Sequence, residues 1–398
     1  MTNHRPVQGC FLKTALFVLI MINFFSLIPN SLHAWERIDF KNAPMQNMFP
    51  ESDAVAIKNE GYMEIKKNGE ALFTQRGVLY AMLKAVGIKA VPVLVPDREK
   101  VSEIPNVPML DWFDHLMLKV DLDDSAGSKG QEIWLDPSYE TNGIGHIAEK
   151  YQGVDGLLIQ KSEGKLIKTP SINHMENLRT CVTDVKLLED GKINCTVFEI
   201  YSVPRSARVK NYLKHRNIYE RKDELAKNIS KYCPGALLDT SRFDELYNFD
   251  SDLKTQNSGN SCFKIFYKFN SPYYVNQANE MLYINPNILH RDETTKEFSQ
   301  PTRIFPIMFE CVKMDIDSVN IFIPSTYEIV SLPEPINLEN DFGEFSTRYQ
   351  VQNSTIIYKR ILAIKKLLIP SSSYREAKRF FNQIFEEDQK TIIFKRKE

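Results

Sequence analysis

Two residues in the first half of the chain have the types and spacing for acid–base chemistry. His115 opens the run HLMLKVDL (115–122), and Asp136 closes the run QEIWLD (131–136). Both runs are short and apolar enough to read as strands, with the polar stretch DSAGSKG between them as a hairpin loop. A strand beginning at a histidine beside a strand ending at an aspartate brings imidazole and carboxylate together. The carboxylate then holds one histidine tautomer, and the histidine can take a proton from a nucleophile. Taken alone, a histidine at a strand start more often serves structure, and a His–Asp hydrogen bond can equally persist as a folding element. WLDPS (134–138) also reads as a strand end turned by its proline. Trp112, Phe113 and Trp134 can line a cleft, but large aromatics mostly serve burial.

The elements that must position this pair are legible around it. NGEALFTQRGVLYAMLKAVGI (68–88) predicts a helix, with Asn68 as its N-cap. Leu72, Leu79, Leu83 and Val86 share one face, and Gly87 stops the helix. IKAVPVLV (88–95) is short and β-branched, hence a strand, and 96–109 carries Pro96, Pro105 and Pro108, hence a loop. Helix, strand, strand, strand is an α+β order, the helix packed on an antiparallel sheet.

Three motifs in that order carry a family resemblance: Leu-Lys-Ala-Val-Gly-Ile (83–88), Phe113-Asp114-His115, and Trp134-Leu135-Asp136-Pro137-Ser138. The segment resembles the transglutaminase-like, cysteine-peptidase fold, and more narrowly bacterial exported proteins that join such a core to a C-terminal β-rich domain. The C-terminal part is similar too, in Leu332-Pro333, Phe342-Gly343, Ile356-Ile357-Tyr358, Ser373-Tyr374-Arg375 and Phe380-Phe381. The resemblance runs from about residue 65 to the end and is weakest in its middle third.

The resemblance implies a cysteine in the first turn of the central helix, where the helix N-terminus lowers the thiol pKa. It makes His115 the family histidine and Asp136 the family aspartate. The cysteine position falls on Leu72, and the acidic position before it on Ala71; neighbouring registers give Ala71 or Phe73. No cysteine lies between Cys10 and Cys181. Thr74, the nearest hydroxyl, lies about 200° around the helix from Leu72. The implied triad therefore has two of its three members, and the resemblance points to a catalytically inactive protein.

Over its 398 residues the chain is 43% apolar and 25% charged, enough to build a sizeable core. Its net charge of −1, without a basic cluster, gives no sign of a phosphate-tracking surface, so no nucleic acid is expected as a partner. Arg5 and Lys13 precede the apolar run TALFVLIMINFFSLI (14–28), which Pro29 and Asn30 break before Ala34. This is a signal-peptide pattern, and the run is shorter than the roughly 20 residues of a spanning helix. Membrane contact is expected only through an uncleaved N-terminus.

Beyond Cys10 the cysteines are Cys181, Cys195, Cys233, Cys262 and Cys311. No pair has CxxC spacing, so neither a zinc site nor a thioredoxin-like motif is expected. Buried thiols are the expectation. Asp190-Gly191 between alternating runs signals a hairpin that sets Cys181 opposite Ile200 or a close neighbour, not Cys195. One polar helix is expected over roughly 205–231, on the surface. Strands follow to the C-terminus, where SYREAKRFFNQIFEEDQ makes an amphipathic helix before a last strand. The acidic stretches at 121–124, 250–252 and 315–317 lack calcium-loop spacing and read as solvated turns.

The expected organisation is a signal peptide (1–34), a lead-in (35–66), a transglutaminase-like core (67–165), a β-rich middle domain (175–325) and a small C-terminal β-domain (326–398). The expected function is that of an exported, periplasmic or cell-surface pseudo-enzyme, taking a peptide or protein ligand through its vestigial cleft and β-domains, with no cofactor and no metal. The alternative is an active amide-processing cysteine peptidase or acyltransferase with a displaced nucleophile, marked by one hyper-reactive thiol such as Cys195 or Cys233. A third reading is a structural protein tethered by an uncleaved N-terminus.

Overall fold

The computed structural model describes residues 74–100, 110–121, 132–138, 144–160, 164–244, 262–291 and 294–397. The signal (1–34), the lead-in (35–66), Asn68 and Leu72 lie outside them. The chain divides into two units, one ending at Pro170 and the other beginning at Ser171. Helices and strands are mixed, and strands predominate.

In the first unit, helix α1 (Thr74–Ala85) ends where Gly87 takes φ = 79°, a left-handed conformation free of steric cost only for glycine. Val86 follows the last helical residue and is exposed, not on the core face with Leu79 and Leu83. The strands are β1 (Ala90–Val95), β2 (His115–Asp121), β3 (Glu132–Leu135), β4 (Asp155–Ile159) and β5 (Gly164–Lys168). They form one antiparallel sheet in the order β3-β2-β1-β4-β5.

Side chains alternate across that sheet, so each face has its own core. On one face Leu118, Val120, Ile133 and Leu135 pack with Leu79 and Leu83 of α1. On the other, Val93, Val95, Met117 and Trp134 pack with Ile147, Tyr151 and Val154. Phe113 and Trp134 are core residues, and Trp112 is half-buried.

The second unit opens with β6 (Leu178–Leu187) and β7 (Ile193–Tyr201), joined by a hairpin in which Gly191 has φ = 80°. Its loop is Glu189-Asp190-Gly191, one residue longer than a two-residue Asp-Gly turn, with the glycine at the left-handed position. Cys181 consequently faces Glu199, one place from Ile200, and Cys195 faces Val185.

Two helices follow where one was expected: α2 (Val203–Lys214) and α3 (Ile218–Tyr232). The break has a local cause. The Asn217 side chain accepts from the Tyr219 and Glu220 N–H groups, and Glu220 accepts from the Asn217 N–H, a reciprocal cap that starts a new helix. Neither helix is wholly solvated, since Leu213 and Ile229 are buried.

The remaining elements are β8 (Leu237–Asp244), β9 (Phe263–Ser271), β10 (Asn276–Ala278), β11 (Met281–Ile284), β12 (Ile307–Met308), β13 (Lys313–Phe322), β14 (Tyr327–Ser331), β15 (Ile336–Glu339), β16 (Gly343–Gln352), β17 (Thr355–Ile364), β18 (Leu368–Ile369), helix α4 (Tyr374–Asp388) and β19 (Ile392–Arg396). Eight strands make the main sheet, β15-β16-β17-β13-β6-β7-β9-β8, in which β6 and β13 run parallel. A boundary near residue 326 is therefore corrected: strands from both sides of it share that sheet, and β14 and β11 flank β19 in another. Buried Phe380, Phe381 and Ile384 hold α4 against Phe345 and Leu362.

Among the described residues no helix is long and apolar enough to cross a membrane.

Candidate functional site

The register of the first sheet accounts for the meeting of His115 and Asp136. Leu118 faces Leu135 across β2 and β3, so Asp136, the next residue, lies on the Met117 face, diagonal to His115. His115 Nε2 is 2.8 Å from Asp136 Oδ2, and the Asp136 side chain is fully buried. The carboxylate accepts, which puts a proton on Nε2. Asp136 Oδ1 accepts from the Ser138 N–H at 3.1 Å, so the turn after β3 fixes the carboxylate in turn.

Tyr151 closes the histidine in. Its ring lies parallel to the imidazole, 4.1 Å between centroids and 9° between planes. Tyr151 ends the short 3-10 turn Glu149–Tyr151, which is anchored on three sides. The Thr169 hydroxyl donates to the Tyr151 carbonyl at 2.7 Å, Arg98 Nη1 to the Gln152 carbonyl at 3.1 Å, and Gln152 Nε2 to the Ile147 carbonyl at 3.0 Å. Lys150 Nζ pairs with Asp97 at 2.9 Å and lies 4.8 Å from the Tyr151 ring centroid. Burial pushes the Asp97 carboxyl up, but hydrogen bonds from Lys150 and the Glu99 N–H outweigh it and bring it below the ordinary value.

This arrangement can orient and polarise an imidazole. It lacks a described nucleophile, and α1 packs on the opposite face of the sheet. The thiols of the second unit are poor substitutes. Burial pushes Cys195 well above the ordinary thiol range and Cys233 up to about 12. A raised thiol pKa disfavours the thiolate, the nucleophilic form, at both positions. Among the described residues no disulfide forms, and Cys181, Cys195, Cys233 and Cys311 are buried.

A second polar constellation crosses the main sheet of the second unit. Lateral pairing places Thr347, Arg360, Asp317, Cys181 and Glu199 side by side on β16, β17, β13, β6 and β7. Asp315 and Asp317 are therefore buried strand residues and not the solvated turn expected of 315–317. Arg360 holds Asp388 through two bonds of 2.8 Å and reaches Asp317 at 3.3 Å. Arg179 Nε donates to Asp315 at 3.1 Å. Burial would raise the Asp317 carboxyl; the adjacent Arg179 and His290 hold it far below the carboxylate range instead.

Within this row Cys181, Glu199 and His290 bring sulfur, oxygen and nitrogen within 4.8 Å of one another, a set able to hold a metal ion. The Tyr267 hydroxyl donates to Glu199 Oε1 at 2.7 Å, and the Tyr201 hydroxyl donates to Oε2. Asn287 fixes the His290 backbone, accepting from its N–H at 3.2 Å and donating to its carbonyl at 3.0 Å. These ligands come from residues 18 and 91 positions apart, beyond any spacing motif, since 199−181 is 18 and 290−199 is 91. Only the Asp-Gly hairpin signal links the first two.

The family described as a domain of unknown function with a solved structure, DUF3858, matches residues 280–394. No curated protein matches the chain. The crystal structure of a candidate protease from Parabacteroides distasonis is similar at 11% identity and a TM-score of 0.38, over 80% of this chain and 43% of that one. The chain thus spans less than half the length of that protein.

Proposed function

We propose that the chain is an exported transglutaminase-like protein without amide chemistry, in which the His115–Asp136 pair serves as a buried structural element. The observation that carries this reading is the enclosure of the pair: Asp136 is fully buried, and His115 lies under Tyr151. Leu72 at the position the family gives to cysteine, and the absence of any cysteine between Cys10 and Cys181, support it from the sequence. The packing of α1 on the sheet face away from the pair supports it from the fold. The N-terminal pattern of charged residues, apolar run and small residue supports export to the periplasm or cell surface. The protein then acts by binding a peptide or protein partner, and needs neither nucleic acid nor a cofactor for that role.

The test is turnover. The purified chain, incubated with peptide amides with and without a primary amine, is expected to release no ammonia or amine and to form no adduct. Hydrolysis or transfer that disappears in a His115→Ala variant would overturn the reading. Activity gained by Leu72→Cys, and absent from the natural chain, would support the loss of a thiol as the cause of inactivity.

A further inference from the structure

We propose that Cys181, Glu199 and His290 bind one borderline-soft divalent cation, with Zn2+ as the type ion. The inference stands apart from the His115–Asp136 reading. It rests first on the donor set. A thiol, a carboxylate and an imidazole within 4.8 Å of one another need to close by only about an ångström to meet ligand bonds of roughly 2.0–2.3 Å. Mixed sulfur, nitrogen and oxygen ligands suit zinc and its neighbours in the transition series, whereas calcium and magnesium take oxygen.

Each donor also has its supporting partner. Cys181 and Glu199 are directly opposed on β6 and β7, so the hairpin register fixes their separation. Both Glu199 oxygens accept phenol hydroxyls, from Tyr267 and Tyr201, which orient a ligating carboxylate without neutralising it. Asp317 Oδ1 stands 3.0 Å from His290 Nδ1, the carboxylate–histidine relation that directs Nε2 toward a metal. Asp317 Oδ1 is buried and also 3.0 Å from Arg179 Nη1, and water can take the fourth position at the metal.

Positive charge already stands here. Arg179 Nη1 lies 2.9 Å from His290 Nδ1 and 3.1 Å from Nε2, and only one of those nitrogens can accept in the neutral imidazole. Its Nε bond to Asp315 anchors the guanidinium, so Nη1 can leave the imidazole edge while that bond persists. A divalent ion would replace a poorly directed contact with coordination bonds. Its way in is past His290, whose side chain is 26% exposed while Cys181 and Glu199 are buried.

The experiment uses the untagged full chain, stripped with a chelator. Zn2+ uptake is followed by competition with a chromophoric chelator, and Co2+ by its thiolate charge-transfer absorption in the near ultraviolet. One equivalent of Zn2+ and a Co2+–thiolate band are expected. Both are expected to vanish in Cys181→Ser, and affinity to fall at least about tenfold in His290→Gln, a partly exposed site whose loss leaves the sheet intact. Metal-free melting curves matching the parent establish that each variant folds. No stoichiometric uptake by the parent, or uptake that persists unchanged in either variant, overturns the proposal.

Discussion

Tyr151 lies flat on the imidazole of His115, 4.1 Å away and nearly parallel to it. It is itself buried among Val93, Val95, Met117 and Trp134, so its ring is a core element as well as a cover. Tyr151→Ala is expected to cost about 3–5 kcal/mol of unfolding free energy, the range for large aromatics removed from a core. Lys150→Ala, next to it, removes a side chain 41% exposed but leaves the Asp97 carboxylate, 9% exposed, without its ammonium partner, and is expected to cost about 1–3 kcal/mol. Urea titrations of the two variants separate packing from charge pairing.

His115 and Asp136 are expected to depend on each other. Each single substitution, His115→Gln or Asp136→Asn, strands a buried partner; the double substitution strands neither. A double-mutant cycle in urea is expected to give a coupling of about 0.5–3 kcal/mol. Additive effects would mean that the 2.8 Å contact contributes nothing to folding.

In the second unit Arg360 is the cation on which Asp388 depends. Arg360→Leu leaves that carboxylate buried without its guanidinium, although the Asn287 amide still donates to it at 3.0 Å, at an expected cost of about 3–5 kcal/mol. Arg360→Leu combined with Asp388→Leu is expected to be milder, because Asp317 keeps Arg179 and His290 nearby. The comparison is made by thermal melting at one pH.

Alkaline pH is expected to weaken the fold through Cys233. Burial raises this thiol from the ordinary 9.0 to about 12, so the unfolded chain loses the proton first. Its contribution is complete below pH 9.0 and is lost progressively as pH rises toward about 12. Urea midpoints taken from neutral pH upward should fall above that lower value, and less steeply in Cys233→Ala. Tyr274, raised in the same direction by burial, adds to the decline.

Asn217→Ala removes the reciprocal cap at the start of α3 and is expected to cost about 1 kcal/mol. Hydrogen exchange in the first turn of α3 is expected to rise, with that of α2 unchanged.

What was legible in the sequence followed local rules. Gly87 ended its helix, Asp190-Gly191 turned its hairpin, and His115 and Asp136 met because each sits at the end of a short strand of one sheet. The break between α2 and α3 was also written locally, in Asn217-Ile218-Tyr219-Glu220, but the charge-rich surroundings read as one continuous polar helix. Asp315 and Asp317 were misjudged for another reason. An acidic pair looks solvated until Arg179 and Arg360, 136 and 43 residues away, are known to lie beside it. Such pairing depends on which strands become neighbours, and hydrophobic alternation does not specify that. The union of β14 through β19 with earlier strands escaped notice for the same cause.

The parallel join of β6 and β13 has a consequence in time. Arg179 and Asp315 face each other across that join although 136 residues separate them. While the chain is synthesised from its N-terminus, β6 must keep an open edge until β13 emerges, and β17 and β16 must follow to complete that side. Non-local pairings of this kind fold slowly, because a long loop must close before any contact rewards it. The second unit thus holds off the completion of its main sheet until β13, β16 and β17 have all been made.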